Sequence, residues 1–211
     1  GYGMTETISQ THINPPQNPK KQCLGIPAFD TEALIVDPTS FEILAAGKQG
    51  EIVVRGPQLL TGYWKNDKAF HESWCAVGGK SFFRTGDLGR TDEDGYFYIS
   101  DRLKRMINAA GFKVWPAEVE AAMYKHPAIK ECCIIASPDE RRGETVKLVA
   151  VLKGDFSSVS GEEILSWSKT QMAAYKVPRK IEFIDALPRT ASGKLMWRAL
   201  QELEWARESR Q

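Results

Sequence analysis

Residues 82–107 read FFRTGDLGRTDEDGYFYISDRLKRMI. Two short runs rich in aromatic and β-branched residues, Phe82–Thr85 and Tyr96–Ser100, predict strands. Between them Asp92-Glu93-Asp94-Gly95 predicts a hairpin-type turn, with Gly95 supplying positive φ. After about Lys104 the character of the chain changes. Upstream there are strands and turns; downstream, helix-period segments alternate with strands.

Working upstream, Glu32–Asp37 (EALIVD) and Gly50–Arg55 (GEIVVR) predict two more strands, and residues 14–20 (NPPQNPK) a Pro-rich loop. Working downstream, Pro116–His126 predicts a helix with Pro at N1, acidic residues early and Lys125 and His126 late. Ala117, Val119, Ala122 and Met123 would supply its buried face. Ile129–Ser137, Val146–Lys153 and Lys180–Ile184 read as strands. Ser160–Ala173 predicts a helix with a capping box, Ser160 at the N-cap and Glu163 three residues on. Leu195–Arg207 predicts a final amphipathic helix. The expectation is an α+β chain divided near residues 102–104.

Composition narrows the class. Of 211 residues, 42% are hydrophobic and 26% charged, with 28 Lys plus Arg against 27 Asp plus Glu. This balance argues against a nucleic-acid binder, which would carry a basic stripe. Cys23, Cys75, Cys132 and Cys133 form no CxxC pair, and the adjacent pair sits in an apolar run. They read as small buried residues in a reducing cytosol. His12, His71 and His126 lack zinc-binding spacing. No apolar run approaches the ~18 residues of a membrane helix, and the start is not a signal peptide. Peripheral membrane contact stays open, although no basic amphipathic helix stands out. The chain begins without an initiator Met, and we expect it to be a fragment.

Three stretches fit phosphate and nucleotide chemistry. GYGMTET (1–7) puts a Gly-rich turn beside Thr5, which could contact phosphate, and Glu6, which could hold Mg²⁺. Asp87, in Thr85-Gly86-Asp87 at a strand end, could accept two hydrogen bonds from a ribose diol. PRTASGK (188–194) presents Lys194 on a loop, where a cation could stabilise charge on a phosphate. Each also has a plain reading: a polar loop, a turn cap and a solvated lysine. Gly79-Lys80-Ser81 is not a P-loop, since position 74 is Trp, and Asp92–Gly95 is not an EF-hand, since its twelfth position is Leu103.

Taken in order, GYGMTET, GEIVVRGPQLLTGYWKN (50–66), the 82–107 stretch, AAGFKVWPAEVE (109–120) and LPRTASGK (187–194) resemble the adenylate-forming family. That family includes acyl–CoA synthetases, peptide-synthetase adenylation domains and luciferase, and the look is that of medium- or long-chain fatty acyl–CoA ligases. The resemblance implies two domains. Residues 1–103 would be the C-terminal, β-rich part of a large nucleotide-binding domain, and 104–211 a mobile α+β lid. It implies a two-step reaction: a carboxylate attacks the α-phosphate of ATP to give acyl-AMP, then CoA takes the acyl group. By resemblance Tyr2 stacks on adenine, Thr5 contacts phosphate and Glu6 holds Mg²⁺. Asp87 accepts from the ribose, and Arg102 reaches the nucleotide. Lys104 is the hinge, Lys194 the catalytic lysine of adenylation, and Gly111 lines the CoA path.

The sequence departs from the family at Asn108, where luciferase-like members carry Lys, and at Trp197, where many relatives have Arg. The resemblance also implies an upstream phosphate loop and acyl pocket. The chain alone is therefore expected not to form acyl-AMP. Two other readings stand beside a cytoplasmic fatty acyl–CoA ligase. One is an acyl-AMP ligase or adenylation module acylating a carrier protein; the other is a non-catalytic nucleotide-binding domain.

Overall fold

In a computed structural model, which describes residues 1–156 and 158–208, the chain forms two compact units, Gly1–Lys104 and Arg105–Gln211. The first unit contains β1 (Tyr2–Gly3), β2 (Gln10–Ile13), β3 (Ile26–Pro27), β4 (Glu32–Val36), β5 (Gly50–Arg55), the short helix α1 (Asp67–Glu72), β6 (Trp74–Val77), β7 (Lys80–Thr91) and β8 (Phe97–Arg102). β1, β2 and β3 make a small antiparallel sheet. A second sheet runs β4-β5-β7-β6, with β8 also paired to β7. Alternation along its strands gives each face its own apolar cluster. Ile35, Ile52, Val54, Phe83 and Phe97 fill one; Val36, Val53, Cys75, Val77 and Phe82 fill the other.

The second unit contains β9 (Ile107–Ala109), β10 (Phe112–Val114), α2 (Pro116–Met123), β11 (Ile129–Asp139), β12 (Gly143–Leu152), α3 (Gly161–Gln171), β13 (Lys180–Phe183) and α4 (Trp197–Glu208). Its sheet runs β10-β9-β12-β11, and β13 joins β12 in parallel. The β11–β12 hairpin is covered on both faces, which explains its unbroken apolar run. Val119 and Met123 of α2 and Ile164 of α3 pack on Cys132, Ile134, Leu148 and Ala150. Trp197 and Leu200 of α4 pack on Cys133, Ile135 and Val149.

The α+β expectation holds, with differences in extent. α2 stops at Met123, so Lys125 and His126 lie outside it. Pro127 follows, and the residue before a proline is pushed out of helical geometry. In its place His126 Nδ1 accepts the Ala128 N–H at 3.2 Å. Ala117 and Ala122 are half-buried, leaving Pro116, Val119 and Met123 as the buried face of α2. The Ser160–Glu163 capping box is present. All four cysteines are free thiols. Burial pushes the Cys132 and Cys133 thiols up to about 12, so both stay protonated and inert.

Candidate functional site

The strand that reads as ending at Thr85 continues to Thr91, because a bulge absorbs the Thr85-Gly86-Asp87 step. Val53 pairs with Arg84 and Glu51 with Leu88, so β7 spends four residues where β5 spends two. Gly86 sits at φ +70°, in the left-handed region that glycine occupies without strain. Thr85 Oγ1 donates to Ile52 O at 2.7 Å and accepts the Asp87 N–H at 3.1 Å.

The bulge delivers Asp87 to a small polar cluster. Asp87 is fully buried, Tyr2 Oη donates to its Oδ2 at 2.6 Å, and Arg102 Nε lies 2.9 Å from its Oδ1. Tyr2, Asp87 and Arg102, 100 residues apart at the extremes, are thus brought together. β1 carries Tyr2, and the Asp87↔Arg102 register of β7 and β8 supplies the other two. Burial, reinforced by Asp87, holds the Tyr2 hydroxyl well above its usual range, so it remains a donor. The buried His12 ring lies 5.6 Å from Tyr2 and 4.5 Å from Phe97, centroid to centroid. Burial lowers its pKa to about 4, leaving a neutral platform at physiological pH.

Thr5 and Glu6 open a short 3₁₀ turn, Thr5–Thr7. Thr7, which sequence reasoning passed over, closes the turn. Its buried hydroxyl accepts the Met4 N–H at 3.0 Å and donates to Ser9 O at 2.7 Å. Gly3 is required by packing, since a Cβ there would come within 2.7 Å of Ser9 O. Tyr63 Oη donates to Glu6 Oε1 at 3.1 Å, a contact inside the quoted GYWKN run that the motif reading did not single out. Thr5 is exposed and Glu6 half-buried. Among the described residues no cluster of three metal-ligating side chains exists. One carboxylate suits Mg²⁺, which binds through one or two carboxylates with phosphate and water completing its shell.

Lys104 is exposed, in a 3₁₀ turn spanning Leu103–Arg105. Lys194 and Gly111 belong to the second unit. Lys194 is exposed on a tight loop with Gly193 at φ +81°. The loop is held by its own backbone and by Thr190. Thr190 N–H donates to Lys194 O at 2.8 Å, and Thr190 Oγ1 accepts the Lys194 N–H at 3.1 Å. Arg189 clamps it, donating to Gly193 O at 2.9 Å while pairing with Glu131 at 2.6 Å. Gly111 and Ala110, both at positive φ, form the two-residue turn joining β9 to β10. A Cβ on Gly111 would meet nothing within 4 Å, so within the unit its conformation, and not crowding, calls for glycine. Asn108 caps this turn, its Oδ1 accepting the Gly111 N–H at 3.0 Å. Trp197 packs on the sheet and lies 5.7 Å from the Arg105 guanidinium.

Comparison with known proteins finds relatives over nearly the whole chain. Residues 1–64 match the AMP-binding enzyme family, and residues 118–194 match the AMP-binding enzyme C-terminal domain. The chain is 41% identical over 205 residues to a long-chain-fatty-acid–CoA ligase of Bacillus subtilis, covering 97% of this chain and 36% of that protein. It is 40% identical over 202 residues to a feruloyl-CoA synthase of Amycolatopsis, covering 93% and 39%. Among solved structures, ATP-bound MatB from Rhodopseudomonas palustris superposes with a TM-score of 0.84 at 32% identity, covering 96% of this chain and 39% of that one. The o-succinylbenzoate CoA synthetase of Bacillus subtilis in complex with its acyl-adenylate gives 0.76 at 34%, covering 94% and 40%. The chain spans about two fifths of the length of the curated relatives it matches.

Proposed function

The chain belongs to the adenylate-forming, AMP-binding enzyme family, and we propose that it supplies the ribose-gripping and lid portions of an acid–CoA ligase. In this reading the whole protein makes acyl-AMP from a carboxylic acid and ATP, then passes the acyl group to CoA. The observation that carries it is the buried Asp87 held between Tyr2 and Arg102. A carboxylate paired with a guanidinium and presented by a bulge is a ready acceptor for a ribose diol. The Tyr2 ring, on its neutral His12 platform, offers the face on which adenine stacks. Arg102 both pairs with Asp87 and reaches toward the nucleotide.

Thr5 contacts phosphate and Glu6 holds Mg²⁺, whose charge offsets that of the phosphates. Lys194 brings a second positive charge to the α-phosphate as the carboxylate attacks. Its exposed loop, held from Thr190 and Arg189, keeps the ammonium free to engage a ligand. Lys104 acts as the hinge between residues 1–103 and the lid, so that Lys194 serves adenylation and the Gly111 turn serves thioester formation. The four free thiols suit a reducing, cytoplasmic setting.

The similarity to a feruloyl-CoA synthase, 40%, is close to that to a fatty-acid ligase, 41%, so the acid is stated as a carboxylic acid. Fatty acids and hydroxycinnamates are the first substrates to try. The test is Lys194→Ala in the whole protein. Pyrophosphate release from ATP and acid should fall by about 10²-fold or more, while thioester formation from supplied acyl-AMP and CoA is largely kept. Equal loss of both half-reactions would remove Lys194 from its assigned step. Acylation of a carrier protein in preference to CoA would replace the acceptor.

A further inference from the structure

The bulge that aims Asp87 rests on a carboxylate with no part in the assigned site. Glu51, on β5 opposite the bulge, is 1% exposed. Its Oε2 accepts from Arg84 Nε and Nη2, at 3.1 and 2.8 Å, and its Oε1 accepts the Gly86 N–H at 3.2 Å. The bulge withdraws backbone groups from the ladder, and a buried group so withdrawn must find a new partner. Thr85 serves Ile52 O and the Asp87 N–H. Glu51 serves the Gly86 N–H at the one residue of the bulge with positive φ. Arg84, immediately before the bulge, sets a guanidinium against the buried Glu51 carboxylate. A buried ion pair is a poor way to gain stability, because desolvation consumes most of the attraction. Its placement directly under Gly86 calls for a geometric purpose.

We propose that Glu51 is a positioning residue for nucleotide recognition, fixing with Arg84 the Thr85-Gly86-Asp87 bulge so that Asp87 faces the ribose diol. The inference rests on the reading of Asp87 as the ribose acceptor. It predicts that Glu51 governs discrimination between ATP and 2′-deoxy-ATP, a readout that loss of stability alone does not move.

The experiment measures kcat/KM for both nucleotides, by pyrophosphate release, in the whole protein and three variants. The parent should prefer ATP by about tenfold or more, the scale of a hydrogen bond to a charged group. Asp87→Asn should lose that preference. Glu51→Gln keeps the volume but sets an amide donor against either Arg84 or the Gly86 N–H; it should cut the preference to about threefold or less, with faster exchange of the Gly86 amide. Val53→Ala, a buried neighbour on β5 with no polar contact to the bulge, should melt earlier and keep the full preference. If Glu51→Gln fails to fold, Arg84→Lys keeps the charge, loses the two-pronged donor and carries the same expectation. Full preference in Glu51→Gln (or in Arg84→Lys) alongside its loss in Asp87→Asn overturns the role of Glu51 alone. Full preference in Asp87→Asn overturns the ribose reading and the inference with it.

Discussion

Replacing Lys147 with Met should unseat α4, the helix that follows the Lys194 loop. Lys147 is 8% exposed on β12, and its ammonium pairs with Glu204 of α4, itself 2% exposed, and with Glu182 of β13 at 2.7 Å. Glu204 also accepts from Ser137 Oγ at 2.6 Å. Glu182 retains Arg207 at 2.9 Å near the surface, so its share of the loss is small. The cost falls on Glu204, left buried with the Ser137 hydroxyl as a hydrogen-bond partner and Arg207 as a more distant charge. Removing one partner of a buried pair costs about 3–5 kcal/mol, and the lower end applies here because Ser137 remains. For a unit of this size, about 3 kcal/mol lowers the melting temperature by roughly 12–24 °C.

Circular dichroism melting of the chain measures this, and the double variant Lys147→Met/Glu204→Leu tests the cause. An apolar pair of similar volume should recover most of the loss. The pH dependence has a definite sign. Lys147 and Arg207 hold the Glu182 carboxyl below its usual value. Its contribution is therefore present above the usual glutamate range and fades as pH falls through the lowered folded value. Because Glu182 carries only a small share of the loss, the gap between parent and Lys147→Met should narrow only slightly on acidification below about pH 4.5. A single variant that melts within a few degrees of the parent, or a double variant less stable than the single, would refute the reasoning.

Tyr2→Phe keeps the ring and removes the donor to Asp87 Oδ2; stability should fall by about 1–2 kcal/mol, while the KM for ATP holds or improves because the ribose no longer competes with the hydroxyl. A tenfold rise in that KM would show that the hydroxyl itself serves the nucleotide. Thr190→Val takes away the acceptor for the Lys194 N–H; adenylation should drop about tenfold with CoA thioester formation from supplied acyl-AMP unchanged, and parallel losses in the two assays would argue against it. Gly111→Ala forces a side chain into φ +87° at a cost of about 1–2 kcal/mol; thioester formation should suffer more than pyrophosphate release, and the opposite order would take Gly111 off the CoA path.

Sequence signals that act within a few residues were legible. The Ser160–Glu163 capping box, Pro116 at N1 and the strand Gly50–Arg55 all needed only their own neighbours. Elements whose existence depends on distant partners were not. Tyr2–Gly3 and Ile26–Pro27 are strands only because Gln10–Ile13 lies between them. Asp67–Glu72 is too short for periodicity and is announced only by its Asn66 cap. Within the cluster around Asp87, the motifs singled out Tyr2, Asp87 and Arg102 but not the geometry that joins them.

Glu51 shows why. In GEIVVR it stands beside the apolar run Ile52–Val54, and acidic side chains are almost never buried unless paired. The pairing that reverses this comes from Arg84, 33 positions along the chain, and from an N–H exposed by a bulge that the sequence presents as a strand end. Burial of a charge is decided by its partner, and the partner is fixed by strand register. A motif can therefore nominate Asp87 for a ligand while leaving hidden the carboxylate that holds the bulge beside it. Glu51 lies within the quoted 50–66 run but carries no reactive signature of its own. It surfaces only when the hydrogen bonds of the backbone beneath the site are traced one by one, as the Gly86 N–H leads to Glu51.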